Sequence, residues 1–294
     1  MDIGVALPTM ARGFTRATFV DWCRGIDAGP FSSVSAGERI TFHNTDFLVS
    51  NAAAAALTER VRVFANLAVA PLHAIPVLAK QLATLDILAG GRLTLGVGIG
   101  GREDDYRAAG SPFARRHERL DQAVAELRQL WRGEVPFEGA DPVGPAPVQQ
   151  NGPPILAGAL GPKAMRRAAA WADGISSFSI TAGAGEMVAA NRLARQTWTD
   201  AGRTDPPRLV SGCFYLLGGV DAAQQLRTFT YDYLRIFGDD FARAFADEID
   251  LTSADRLRRA IGDAEAAGCD EFILVPGTVD LGCLEQTVAA LDRR

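Results

Sequence analysis

Two glycine-rich segments and a few acid–base side chains hold most of the chemical potential of this 294-residue sequence. Gly96-Val97-Gly98-Ile99-Gly100-Gly101 has the GxGxxG spacing at the end of an apolar run. Glycines without Cβ let a flat ring or a phosphate approach the backbone closely. The dinucleotide fingerprint of that form opens the first βαβ unit and is followed ~20 residues on by an acidic residue that ends a strand. Here three strand–helix units come first, and Glu118 and Asp121 fall inside a helical stretch. Ring or phosphate contact along Gly98, Gly100, Gly101 and Arg102 is therefore the preferred reading, with a ligand-free glycine-lined strand end as the plain alternative. Gly158-Ala159-Leu160-Gly161-Pro162-Lys163 is the second segment, where the free amides of a helix start meet a cation. It suits an anion, and equally a turn with a solvated lysine.

Three histidines are candidate proton carriers: His43 after the second strand, His73 after the third, and His117 near the start of a long helix. Glu38 and Arg39, also after the second strand, could pair with each other and still line a site. No HxH, HExxH, carboxylate triplet or GxSxG spacing occurs, so neither a metal centre nor a nucleophile elbow is expected.

Strand-like and helix-like segments alternate throughout, the pattern of a parallel sheet with crossover helices. Strands are expected over Ile3 to Pro8, Ser33 to Ala36, Val61 to Ala70, Leu93 to Ile99, Ile155 to Leu160, Gly174 to Ile180, Arg208 to Leu217 and Phe272 to Val275. Helical periodicity marks Leu78, Leu82, Leu85 and Leu88, then Leu120, Val124, Leu127 and Trp131 with Gly133 as a left-handed stop. Ala222 to Ala267 reads as helical with breaks at Gly238 and Thr252-Ser253, where Ser253 is a good N-cap. Eight strand–helix units predict a (β/α)8 TIM barrel, which typically takes ~250 residues, over 1–294 as a single domain. A Pro/Gly-rich insertion loop, Glu134 to Pro154, follows the fourth βα unit. In such barrels reactive groups sit at the carboxyl ends of the strands. Substrate choice is expected to lie with this loop and the ends of strands seven and eight.

Composition removes several function classes. A net charge of -5 leaves no basic footprint for nucleic acid or anionic membrane, and no apolar run approaches the ~20 residues of a membrane span. Met1-Asp2-Ile3-Gly4 lacks the form of a signal peptide, and the four cysteines lack CxxC spacing, so a cytoplasmic protein with reduced thiols is expected. The alanine-rich helix around Ala52 to Ala56 is expected to pack closely on another element, in a homodimer.

Several segments together resemble the bacterial luciferase-like oxidoreductases, barrel enzymes that use FMN or the deazaflavin coenzyme F420. They include Pro71-Leu72-His73, Leu78 to Asp86, Gly90-Gly91-Arg92, Leu95 to Gly98 and Asp104-Asp105-Tyr106. Further on come Gly152-Pro153-Pro154-Ile155, Ala172-Asp173-Gly174 and Ala267 to Leu274, so that nearly the whole chain is covered. The resemblance implies a flavin-type ring across the barrel mouth near Leu67, Ala68 and Gly98 to Arg102, with Tyr106 nearby and phosphate toward Gly158, Ala159, Leu160, Gly161 and Lys163. It also implies a non-prolyl cis peptide near Leu67-Ala68. Many members carry Asp-His or Glu-His after strand two, where this chain has Glu38-Arg39, which directs attention to His43 or His73. The implied activity is hydride transfer between a flavin-type cofactor, F420 ahead of FMN, and a small organic substrate. An FMN-dependent monooxygenase, a flavin-binding protein without turnover and a nicotinamide-dependent reductase are the alternatives.

Overall fold

The computed structural model describes residues 1–292. Eight parallel strands close in chain order into one barrel: β1 (Asp2–Ala6), β2 (Ser33–Ala36), β3 (Arg62–Ala68), β4 (Leu93–Val97), β5 (Ile155–Ala157), β6 (Gly174–Ser176), β7 (Arg208–Tyr215) and β8 (Glu271–Pro276), with β8 paired back to β1. The strands are apolar or small almost throughout, as required of a sheet covered on both faces. Around them lie α1 (Arg16–Ala28), α2 (Phe47–Leu57), α3 (Ile75–Leu88), α4 (Glu103–Ala108), α5 (Arg116–Trp131), α6 (Pro162–Ala168), α7 (Ala184–Asp200), α8 (Ala222–Leu234), α9 (Asp239–Glu248), α10 (Ala254–Ala266) and α11 (Leu281–Leu291). Asp46 caps α2 through the Val49 N–H, and Ser253 caps α10 through that of Arg256.

The barrel interior is filled from alternate strands. Ala6 of β1, Phe64 of β3, Leu156 of β5 and Val210 of β7 form one buried cluster with Ile273 of β8, the layering by odd strands typical of eight-stranded barrels. Below it the Glu271 carboxylate accepts hydrogen bonds from the hydroxyls of Ser32 (2.7 Å) and Ser33 (2.6 Å) and pairs with Arg62 and Arg208. This buried polar network closes the amino end, so access to the interior is from the carboxyl end.

Several strands are shorter than their apolar runs suggest. β4 stops at Val97 rather than Ile99, β5 at Ala157 rather than Leu160, and β6 at Ser176 rather than Ile180. Apolar character persists past the last paired residue because the mouth is itself buried, as at Ala159. The helix α4 is an element the periodicity did not mark, and the region from Ala222 divides into α8, a 3-10 turn (Arg235–Phe237), α9 and α10, with its breaks at Gly238 and Ser253.

The proline-rich stretch between α5 and β5 has no helix or strand, and it runs to the amino end of the barrel. Gln149 donates from its backbone N–H and from Nε2 to the Asp86 carboxylate (2.9 and 2.8 Å), and Nε2 also reaches the Leu93 carbonyl at the start of β4. An αβ connection must return to the start of the next strand, so this loop lies opposite the mouth. The expectation that it sets substrate choice is overturned.

Candidate active site

At the carboxyl end of the barrel a cavity of about 250 Å³ opens among β1 to β4, β6 to β8 and the end of α8. Its base is small and apolar, with Ala6, Ala36, Leu67 and Ile273. Gly100, Gly101 and Arg102 border it on the β4 side with Phe237 over Gly101, and Phe178, Phe214 and Tyr233 line the other. The aromatic side is a packed unit: Phe214 lies 4.8 Å from Phe178 and 5.1 Å from both Phe229 and Tyr233, ring centre to ring centre.

Glu38 is the acid of this cavity. Its side chain is 2% exposed. Oε2 accepts the Val69 N–H at 2.7 Å, while Oε1 shares a hydrogen bond with Nε2 of His73 at 2.8 Å. The Glu38 N–H donates to the Leu67 carbonyl at 3.1 Å, so both ends of the residue tie the exit of β2 to that of β3. His73 follows a 3-10 turn (Ala70–Leu72), rests edge-on against Phe47 and keeps 22% of its side chain exposed. The pair therefore joins a buried carboxylate on the cavity to a ring in partial contact with solvent. Glu38 and Arg39 do not pair with each other.

Arg39 turns the other way. Its guanidinium lies 3.7 Å from the Tyr233 ring centre and 4.8 Å from that of Phe42, and Nη2 donates to the Tyr233 carbonyl at 3.0 Å. Burial chiefly, with help from Arg102, lowers its pKa from the usual arginine value, against the pull of Tyr233 and Asp105. Arg102 donates from Nη2 to the Thr41 carbonyl at 2.8 Å and pairs with Asp105 at 3.5 Å. Asp105 in turn accepts the Thr41 N–H at 2.7 Å. These contacts fasten the β2–α2 loop to the start of α4 and wall the cavity on that side. Tyr106 is buried behind this wall, its hydroxyl donating to the Ile99 carbonyl and its pKa pushed up to about 12 by burial.

The glycines have packing partners. A Cβ on Gly98 would fall 3.0 Å from Cδ1 of Leu67, and one on Gly158 would collide with Cδ2 of the same side chain. Leu67 thus occupies the gap between the β4 and β5 exits. Gly101 is likewise covered, by Phe237, at 2.5 Å from a hypothetical Cβ, and Gly100 by Val69. The non-prolyl cis peptide is Asn66-Leu67, one residue before its expected place, and the β3–β4 register shifts between Ala65 and Ala68. Ala68 is fully buried.

Of the remaining expected residues, His43 belongs to an adjoining groove with Arg12, Asp232 and Thr278, its Nε2 2.9 Å from the Met10 carbonyl. Ala159 is buried, Leu160 is 71% exposed and Lys163 is exposed. Gly161 has φ of 86°, with nothing within 4 Å of a Cβ, as it turns into α6. Sequence reasoning missed Asn66, whose Oδ1 accepts the Ser176 hydroxyl at 2.9 Å on the cavity wall; a lone amide inside the apolar run of β3 was the available signal. It also missed Tyr233, for which no local signal exists.

The sequence profile described as luciferase-like monooxygenase matches residues 1–289. The chain belongs to this luciferase-like family. An uncharacterized protein of Mycobacterium tuberculosis is 34% identical over 171 residues, covering 55% of this chain and 59% of that protein, so the match spans about three-fifths of the relative's length. The F420-dependent glucose-6-phosphate dehydrogenase of Nocardia farcinica is 34% identical over 152 residues, covering 48% of this chain and 44% of that one. In fold, the chain superposes on an F420-dependent secondary alcohol dehydrogenase solved with an F420-acetone adduct, at TM-score 0.80 and 17% identity over 99% of both chains. The glycine run of β4 follows three strand–helix units of the closed barrel and is not the opening of a dinucleotide-binding βαβ unit.

Proposed function

We propose that the chain transfers a hydride between coenzyme F420 and a small organic substrate at the barrel mouth, with Glu38 as the proton-carrying residue. The observation that carries this reading is Glu38, a residue lining the cavity whose buried carboxylate is backed by His73. F420 stands ahead of FMN because the named relative with the substantial sequence match uses it. The residues present suit a flavin-type ring: Ala6, Ala36 and Leu67 offer an apolar bed, the Asn66–Ser176 pair and Glu38 supply polar atoms at its edge, and Arg39 and Arg102 each hold a buried nitrogen without an acceptor. When bound, the coenzyme supplies the redox chemistry.

The chain supplies the rest. Leu67 and Gly100 to Arg102 would form the bed for the ring, with Ala68 and Gly98 packed behind them, and buried Tyr106 braces that segment through Ile99. Phe178 and Phe214 exclude water on the substrate side. Reduction of a carbonyl leaves an oxygen that needs a proton, which Glu38 gives and His73 returns to it from solvent; oxidation of an alcohol runs the same transfers backwards. Gly158 to Lys163 receive the coenzyme phosphate. The helix α6 has only seven residues, so the Lys163 charge contributes more there than the helix dipole. His43 serves the outer groove rather than the proton transfer.

We place the reaction in the cytoplasm, in keeping with four buried, unpaired cysteines, and in a homodimer. The alanines of α2 divide between a buried side, Ala54 and Ala55, and an outer one with exposed Ala56 and Val49; sedimentation at twice 31.3 kDa is the expected result. The test of function is turnover: reduced F420 is offered a panel of ketones and aldehydes, and its reoxidation is followed by absorbance. Reoxidation that depends on substrate and is lost in Glu38→Gln supports the reading. Activity with FMN and dioxygen alone would replace it with a monooxygenase.

A further inference from the structure

Among the charged groups lining the mouth cavity, one makes no direct ion pair. Arg102 is matched by Asp105 at 3.5 Å, and Glu38 is taken up by His73 and the Val69 N–H. Arg39 makes no ion pair among the described residues; Nη2 donates to the Tyr233 carbonyl, and the Tyr233 side chain and, at longer range, Asp105 act on its charge. Its Nη1 is buried without an acceptor, and so is Nη1 of Arg102. Buried donors in folded proteins are nearly always satisfied, and each exception calls for a missing partner. A buried cation without one is more costly still. Two such nitrogens on two arginines that border one cavity, within 4.8 and 5.9 Å of the same Phe42 ring, call for an acceptor there.

We propose that Arg39, seconded by Arg102, is the specificity determinant for a substrate bearing a carboxylate. The planar guanidinium fork matches a carboxylate in bidentate geometry, and a monoanion adds the least charge to a lining that already holds Glu38 and Asp105 beside the two arginines. The Tyr233 ring lies 3.7 Å from the guanidinium carbon and Phe42 flanks it at 4.8 Å, so it recognises the ligand with little freedom left to lose. Phe178 and Phe214 line the same cavity and suit an apolar body attached to that carboxylate. The naming of this anion as substrate rests on the oxidoreductase reading above; its binding does not.

The test is therefore made on the coenzyme-free chain, by calorimetric titration with benzoate and with its neutral counterpart benzamide, in low and high salt. Benzoate is expected to bind at least ~10-fold more tightly than benzamide, as a charged hydrogen bond provides, and more weakly as salt rises. Arg39→Gln should remove that preference and Arg39→Lys restore only part of it, with melting temperatures recorded for each variant. Equal binding of the two probes by the parent chain overturns the proposal without reference to any variant. A parallel pair of titrations with FMN and phosphate-free riboflavin separates the other source of an anion. If Arg39→Gln abolishes the preference for FMN and leaves that for benzoate intact, Arg39 holds a coenzyme phosphate and the proposal fails. Loss of coenzyme binding by the parent chain, with benzoate selectivity retained, would instead count against the oxidoreductase reading alone.

Discussion

His73 Nε2 and Glu38 Oε1 share a hydrogen bond across 2.8 Å, joining residues that follow neighbouring strands of the barrel. Glu38 is 2% exposed and His73 22%, so the proton lost from the buried member has a route back from solvent through the exposed one. Glu38→Gln retains the Val69 contact and the shape of the site while removing the exchangeable proton. It should lower kcat by ~10²–10⁴ on any substrate found active and leave coenzyme affinity nearly unchanged. His73→Gln should lower kcat less, because water can still reach Glu38. Steady-state kinetics on both variants decides; a Glu38→Gln enzyme with parental kcat removes the carboxylate from the chemistry.

Leu67 gives a second prediction. Its side chain fills the space that a Cβ would need at Gly158 and comes within 3.0 Å of one at Gly98. Gly158→Ala should cost ~1–3 kcal/mol as an overpacked site, measured by urea denaturation. In the double variant with Leu67→Ala the two costs should not add, since the smaller side chain relieves the clash. Additive losses would show that Leu67 can leave the gap freely. By the same contact, Gly98→Val should lower stability as well as coenzyme binding.

The cysteines provide a pH test. All four are free and buried. Burial pushes the Cys23 thiol up to about 12 and the Cys283 thiol up to about 11, and raises Cys213 and Cys269 as well. A raised thiol pKa leaves the group protonated at pH 8, and the thiolate is the reactive form. The folded chain should therefore react negligibly with a disulfide reagent at pH 8, and the unfolded chain should react at four sites. Fast reaction of the folded chain would place a thiolate in reach of solvent.

Much of the architecture was readable because it is local. The alternation of strand-like and helix-like segments, the Ser253 cap and the Gly133 stop each depend on residues within a few positions of one another. Strand ends were overread at Ile99 and Leu160, since apolar character does not report backbone pairing: Ile99 is half-buried and Leu160 exposed, and both lie past the last paired residue. The site was readable only by type: Glu38 and His73 were candidates, but their contact depends on how the exits of β2 and β3 lie together. Arg39 meets Tyr233 from a helix far along the chain, and no spacing rule anticipates that. The Glu134 to Pro154 loop was misassigned through neglect of direction, because a helix-to-strand connection belongs to the end of the barrel opposite the mouth.

Lys163 tests the phosphate placement. It is exposed, on the first turn of α6. If it contacts the coenzyme phosphate, Lys163→Ala should weaken binding at low salt, and the difference should shrink as salt rises, because exposed charges are screened over ~8–10 Å. A larger effect with F420 than with FMN would indicate contact with the polyglutamate tail of the deazaflavin as well. Parental affinity at every ionic strength removes Lys163 from the site.

The central claim is that the barrel mouth holds one flavin-type coenzyme per chain. Titration of the purified protein with F420, followed by fluorescence quenching, tests it most directly when run beside a Ser176→Phe variant whose melting temperature confirms that it is folded. Ser176 lines the cavity and bonds to Asn66, so the phenyl ring would occupy the bed. The account predicts saturation at one F420 per parent chain and at least a ~10-fold loss of affinity in the variant. Absence of saturable binding of either F420 or FMN to the parent, or equal binding by the variant, would contradict it.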